Sequence, residues 1–331
     1  MKILIIRLSS IGDVILTTPV LRALKEKYPD IQIDFVVLSN FAEAIAGSQY
    51  IDNIITFDKQ KHDGLRNILA FGKALRANNY DYVFDLHCKT RSKLIAYTIG
   101  AKTYSYKKRK LWKSILVKLR LIKYHVDDTI IKNYFGAFKD FGITYSGEKL
   151  EFAYAHEDGD RMSEYGGHPA FALGASKNTK KWPVEYFGEL GKLIYDNMHT
   201  QVVLVGGGKA DEGDCATLVE QYPDVFINLA GKCTLKETGA LLARSQFLIC
   251  NDSAPFHISR AVGTPAFVMF CPTDPGMFDI GERDTLLYAG VACAPCSLHG
   301  GSKCPKGHFA CMREITPQQV FDKINSKQGS P

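Results

Sequence analysis

The sequence predicts an α/β protein made of two doubly wound, Rossmann-like domains in series. Three observations carry this. Short apolar runs alternate with helical patterns along both halves, the signature of βαβ units and a parallel sheet. A polar stretch after residue 154 interrupts the alternation once. The 331 residues suffice for two domains of about 150 each. The simplest arrangement has the strand C-terminal ends of both domains facing a central cleft, where such folds bind ligands.

In the first half the strand-like runs are "KILIIRL", "IQIDFVVL", "NIITFD" and "YVFDLH". The helical patterns following them are "TPVLRALKEKY", "FAEAIAG", "LRNILAFGKALRANN" and "SKLIAYTIG". Further helical segments reach about residue 142. "AHEDGDRMSEYGGHP" then reads as a linker, so the expected domains are 1–155 and 165–312. In the second half the strands are "AFALGAS", "QVVLVGGG", "VFINLAG", "QFLICNDS" and "PAFVMF". Their helices are "VEYFGELGKLIYDN", "DEGDCATLVEQY", "LKETGALLARS" and "PFHISRAVG". A last helix over 316–327 starts at Thr-Pro and can pack on either domain.

Composition narrows the function. No apolar run reaches the roughly 18 residues of a membrane span, and "MKILIIRLSS" lacks the features of a secretory signal, so a cytoplasmic protein is expected. Nine cysteines scattered through the chain fit a reducing compartment. The net charge of +6 is local: nine Lys or Arg and no acid lie between Lys102 and Lys123, and setting them aside leaves the rest of the chain at −3. Within that segment "KKRKLWKSILVKLRLIK", which opens with Lys107, Lys108, Arg109 and Lys110, interleaves cations with apolar residues. It suits an anionic lipid surface, a phosphorylated glycolipid or nucleic acid; the alternative is a solvated helix with a core-facing stripe. No base-reading module accompanies the charge, so nucleic acid is not expected as a partner.

Chemistry concentrates at strand-to-helix junctions. "SSIGDV" follows the first strand, and Gly12 there would ordinarily admit a phosphate, but the adjacent Asp13 would repel one. Asp13 therefore reads as a base near an acceptor hydroxyl, held ionised by the helix end, or simply as a helix cap. "GASKNTKKWP" is a small-residue turn in which Ser176 can hydrogen-bond a phosphate and Lys180 can neutralise it. "LICNDSAPFHISRAVG" ends a strand in Asn251-Asp252-Ser253 and starts a helix near Ala254 and Pro255, with Ser253 or Asp252 as the cap. A helix start there suits a diphosphate, Asp252 would address sugar hydroxyls, and His257 can donate to a phosphate oxygen. "VLVGGGKADE" lacks the third glycine of the dinucleotide fingerprint, so a dehydrogenase is not expected. Asp158 and Asp160 in "DGD" fall in the linker and read as solvated loop rather than a metal site.

Taken in order, "SSIGDVILTTPVLRALK", "KKWP" after its turn, and "CNDSAPFHISRAVGTPAFVMF" resemble the motifs of bacterial ADP-heptose:lipopolysaccharide heptosyltransferases, glycosyltransferase family 9. The likeness runs from residue 1 to about 325 and is thin between 50 and 160. It implies a GT-B fold, an acceptor-binding first domain and a second domain for the nucleotide sugar. It also implies inverting transfer of heptose from ADP-heptose without a metal. By position, Asp13 matches the family's catalytic base. Ser176, Lys180, Asp252, Ser253, Ala254 and His257 match its donor contacts. The sequence departs at Ala175-Ser176, where hydroxyl pairs are frequent, and in "GGGKADE", where Asp211 or Glu212 would have to grip the ribose. The basic segment, Lys107 to Lys110 foremost, fits the acceptor implied by the resemblance, a phosphorylated lipid A with inner-core sugars, and a peripheral position at the inner face of the inner membrane. Rival readings are a transferase using another nucleotide sugar and a nucleotide-sugar-binding protein without turnover.

Near the C-terminus Cys293, Cys296, Cys304 and Cys311 are spaced C-x2-C-x7-C-x6-C, with His299 and His308 between them. Structural zinc, a disulfide and reduced thiols all remain open for this cluster. No cofactor is expected in catalysis.

Overall fold

The protein, as a computed structural model, is described over residues 1–106 and 126–328, and forms two compact units. The first combines the described N-terminal residues with Asp128–Ala153, and the second runs from Tyr154.

The first unit is built on a parallel sheet of β1 (Lys2–Ile6), β2 (Gln32–Leu38), β3 (Asn53–Phe57), β4 (Tyr82–Asp85) and β5 (Lys102–Ser105), in the order β3-β2-β1-β4-β5. Its helices are α1 (Ile11–Ile15), α2 (Thr18–Lys27), α3 (Leu65–Arg76), α4 (Thr90–Ile99) and α5 (Ile130–Gly136). After Lys2, β1 is apolar because Ile3 to Ile6 are shut off from water, as central parallel strands are. On one face Ile68 and Leu75 of α3 and Ile95 and Ile99 of α4 pack with Leu4, Ile6 and Val36. Both helix starts legible after the first strand are used. α1 begins behind Ser10, and α2 begins at Thr18, where Pro19 has no N–H to offer Ile15 and the Thr18 hydroxyl donates to that carbonyl instead (2.8 Å). "FAEAIAG" forms a 3-10 turn over Ser39–Ala44 in place of the expected α-helix.

The second sheet contains β6 (Ala170–Ala172), β7 (Val202–Val205), β8 (Phe226–Asn228), β9 (Leu248–Asn251), β10 (Ala266–Met269) and β11 (Thr285–Leu287), ordered β11-β10-β9-β6-β7-β8. Around it lie α6 (His156–Arg161), α7 (Val184–Met198), α8 (Lys209–Gln221), α9 (Leu235–Arg244), α10 (Ala254–Val262), α11 (Ala310–Arg313) and α12 (Pro317–Gln328). The expected linker is corrected here. "HEDGDR" folds as α6, where Asp158 accepts the Ala155 N–H (2.9 Å) and Arg161 pairs with Glu237 of α9 (2.7 Å). The acids of "DGD" thus sit on a capped helix rather than in a loop. α12 packs on α7 of the second unit, and its Val320 and Ile324 enter the core that holds Trp182.

Both sheets reverse winding direction once, between β1 and β4 and between β6 and β9. At such switch points the loops leaving adjacent strands diverge and open a crevice beyond the strand ends, and the sequence motifs fall on these loops.

Candidate functional site

In the first unit the crevice is lined by the loop between β1 and α1. Asp13 stands three residues beyond Ser10, the N-cap of α1. Its Oδ2 accepts from the Ser10 N–H (3.1 Å) and hydroxyl (3.0 Å), and lies 2.8 Å from Arg7 Nη2. Among the described residues every such bond falls on Oδ2, and the side chain keeps 29% exposure. Asp13 therefore caps the helix with one oxygen and leaves the other, Oδ1, open. Burial on its own would raise the carboxyl pKa. The Arg7 charge and the Ser10 hydrogen bonds outweigh it and hold Asp13 below the ordinary carboxylate value.

Arg7 has no counterpart among the residues expected from sequence. It is 7% exposed, donates from Nη1 to the Leu86 carbonyl beyond β4 (2.6 Å), and lies over the Tyr134 ring at 5.4 Å. The signal available was a single arginine at the end of the apolar run "KILIIRL", a position otherwise reserved for buried strand.

In the second unit the β6–α7 turn and the β9–α10 junction meet across the switch point. Lys180 ends a 3-10 turn over Asn178–Lys180 and forms a buried ion pair with Asp252, whose Oδ2 also accepts from Thr273 Oγ1 (3.5 Å). The two were expected to serve a phosphate and a sugar separately; here they are partners. Asn251, which had been assigned no role, fixes both. Fully buried, it accepts the Trp182 N–H (2.9 Å) and donates to the Leu173 carbonyl (2.8 Å), tying turn, strand and junction together. Ser253 is the N-cap of α10, but its hydroxyl donates back to the Asn251 carbonyl (3.2 Å) and makes no capping bond. Ala254 begins that helix, and Gly263 closes it in the left-handed conformation. His257 is buried, with its ring 4.8 Å from that of Phe278. Ser176 is exposed on the turn.

Asp211 reaches the same turn from α8. A Cβ on Gly174 would stand 2.0 Å from Asp211 Oδ2, so glycine is what lets that carboxylate in. Lys181 bridges Asp211 (3.3 Å) and Asp214 (3.1 Å), while Glu212 accepts the Gly208 N–H (3.2 Å). The basic cluster at Lys107, Lys108, Arg109 and Lys110 lies outside the described residues.

Cys293, Cys296, Cys304 and Cys311 share one cavity of about 500 Å³ with His299 and His308. All four stand as thiols, and among the described residues no three potential ligands converge on one point. His308 Nδ1 accepts the Ala310 N–H (2.9 Å), which places the ring proton on Nε2, facing Cys293 Sγ at 3.8 Å. Such a ring offers no lone pair toward the thiols, so the arrangement does not fit a zinc site that uses it. The cavity wall is stapled to the lysine turn: Thr179 and Gly301 exchange backbone and hydroxyl hydrogen bonds at 2.8–3.1 Å.

Comparison with known proteins accords with this geometry. The model of glycosyltransferase family 9 (heptosyltransferase) matches residues 68–303. Lipopolysaccharide heptosyltransferase 3 of Escherichia coli is 28% identical over 285 residues, covering 80% of each chain. Among solved structures, a glycosyl transferase family 9 protein from Veillonella parvula superposes at TM-score 0.81 (22% identity, 98% of this chain and 96% of that one). E. coli heptosyltransferase WaaC with ADP does so at 0.74 (21% identity, 99% and 100%). These likenesses bear out the GT-B fold class. Since the family model spans well over half of its length, the chain belongs to glycosyltransferase family 9, the heptosyltransferases.

Proposed function

We propose that the protein transfers heptose from ADP-heptose to an inner-core sugar hydroxyl of nascent lipopolysaccharide, with inversion and without a metal. The relatives' names supply the sugar and the acceptor class, and the ADP bound to WaaC supplies the nucleotide. The observation that carries the mechanism is Asp13, ionised by Arg7 and Ser10 through Oδ2 while Oδ1 stays open.

The acceptor, on the first unit, presents a hydroxyl to Oδ1. Its oxygen attacks the anomeric carbon, its proton passes to Asp13, and the bond from that carbon to the diphosphate breaks with the electron pair leaving on ADP. A single displacement of this kind inverts the centre. Because a carboxylate of depressed pKa is a weak base, the proton moves late, once the attacking oxygen has begun to bond.

Leaving-group charge falls to Lys180 and the free N–H groups at the start of α10, with Ser176 and Ser253 offering hydroxyls, and His257 behind Ala254. An ammonium has three donors, so Lys180 can keep Asp252 and still serve a phosphate oxygen. Asp252 in turn aims its free oxygen at sugar hydroxyls. The basic segment from Lys107 to Lys110 takes the acceptor phosphates and holds the protein at the cytoplasmic face of the membrane. One observation favours the alternative of another nucleotide sugar: Asp211, one of the two acids that could grip the ribose, is already engaged by Lys181.

The test is product analysis after incubation with ADP-heptose, or a panel of other nucleotide sugars, and truncated lipopolysaccharide acceptors, with and without EDTA. Heptosylated product from ADP-heptose alone, insensitive to EDTA, is expected. Asp13→Asn should lose about 10²–10⁴-fold in turnover while binding ADP normally. Full turnover in that variant would falsify the assignment of the base.

A further inference from the structure

We propose that Arg7 is the positioning residue of the transfer, anchoring Asp13 through Oδ2 so that Oδ1 is left charged and presented to the acceptor hydroxyl. This rests on the reading of Asp13 as the base.

The geometry is that of a rigid strut. Arg7 is the first residue past β1, at the switch point of the first sheet. Its own N–H donates to Val36 at the end of β2 (3.1 Å), its Nη1 to Leu86 beyond β4 (2.6 Å), and its Nη2 to Asp13 (2.8 Å). β2 thus fixes the backbone of Arg7 and the segment beyond β4 its side chain, and a planar guanidinium transmits that fixation to the carboxylate as a lysine could not. The cation is 7% exposed and faces the Tyr134 ring, itself flanked by Tyr106 (ring centroids 5.6 Å). Among the described residues Asp13 is the carboxylate paired with it.

Two consequences follow for the proton. Before attack, the buried cation keeps Asp13 ionised in a setting that would otherwise favour the neutral acid. After transfer, protonated Asp13 leaves the guanidinium, among the described residues, with neutral partners alone, the Leu86 carbonyl and the two tyrosines, which drives the proton on to water and resets the carboxylate for the next turnover. Among the described residues the pair is also faced by the Ser10 hydroxyl, Tyr106 after β5, Tyr134 on α5 and Cys88 in the β4–α4 turn; burial pushes the Tyr106 phenol up to about 12 and raises that of Tyr134 too, so both phenols are neutral at working pH.

The acid limb of the pH dependence of kcat/KM reads this role. Arg7→Met should raise the limb by about 1–3 pH units, the effect of losing one adjacent opposite charge, with the KM for ADP-heptose unchanged. Arg7→Lys restores charge without the fork. It should return the limb to within about one unit of the parent while kcat stays about tenfold down from misplacement of Oδ1. A folded Arg7→Met with an unmoved limb overturns the proposal. Should that variant not fold, Arg7→Lys decides alone, and an unchanged kcat overturns it. The two readings fail separately. If Asp13→Asn turns over normally, the base is wrong; if it is dead and the limb of Arg7→Met has not shifted, only the role of Arg7 falls.

Discussion

Replacing Asp252 by Asn removes one half of the buried pair that ties the lysine turn to the start of α10. In the folded protein the side chains of Lys180 and Asp252 are 11% and 5% exposed, so solvent screening is slight. Asn251 holds turn and strand so firmly that Lys180 has little freedom to swing out to water. The ammonium would then remain buried without its carboxylate, and losing one partner of a buried pair costs about 3–5 kcal/mol. Replacing both partners should cost much less: Lys180→Met with Asp252→Asn leaves no orphaned charge, and the coupling across the double-mutant cycle should reach about 2 kcal/mol or more. The natural probe is Trp182, buried one turn away and hydrogen-bonded to the same Asn251; a Trp112→Phe background isolates its fluorescence in urea melts. ADP should stabilise Asp252→Asn more than the parent, since the released lysine can give its whole charge to the diphosphate. A loss below about 1 kcal/mol with no coupling would mean that the pair is not held as described.

Two further substitutions separate packing from charge. Asn251→Ala leaves the Trp182 N–H and the Leu173 carbonyl buried without partners, at about 1–3 kcal/mol each; denaturation should show that loss together with weaker ADP binding by calorimetry, and unchanged ADP affinity would separate the clamp from the donor turn. Gly191→Ala in α7 sets two effects against each other. Helix propensity gains about 1 kcal/mol, but the new Cβ would meet the buried Phe226 ring at 2.2 Å, and overpacking costs about 1–3 kcal/mol; a lower Tm is expected, and a higher one would show that the ring has room to move.

Much of the architecture was legible in the sequence because its signals are local. An apolar run of five to seven residues followed by a helical period reads as βα wherever it occurs, and most such units folded as written. The exceptions are instructive. "FAEAIAG" has the helical period but forms a 3-10 turn over Ser39–Ala44, a difference that the local pattern does not reveal. "HEDGDR" looks like a linker by composition, yet Asp158 caps it and Arg161 docks it on Glu237, a contact across 76 positions that no local window contains.

The chemistry divides in the same way. By itself the sequence determined which side chains stand at strand ends: Asp13 after β1, Lys180 after β6, Asp252 after β9. Those positions depend on short-range rules of strand, turn and cap. Strand order was decided by the tertiary structure alone, and strand order chooses partners. Lys180 and Asp252 meet over 72 positions because β6 lies beside β9, and Arg7 reaches Leu86 over 79 because β1 lies beside β4. Adjacency in a sheet is set by long-range packing of apolar faces, so these two contacts were not written in any one stretch of the chain, whereas the Arg7–Asp13 pair lies within residues 7–13 and needed only the tertiary structure's burial of the arginine to be recognised.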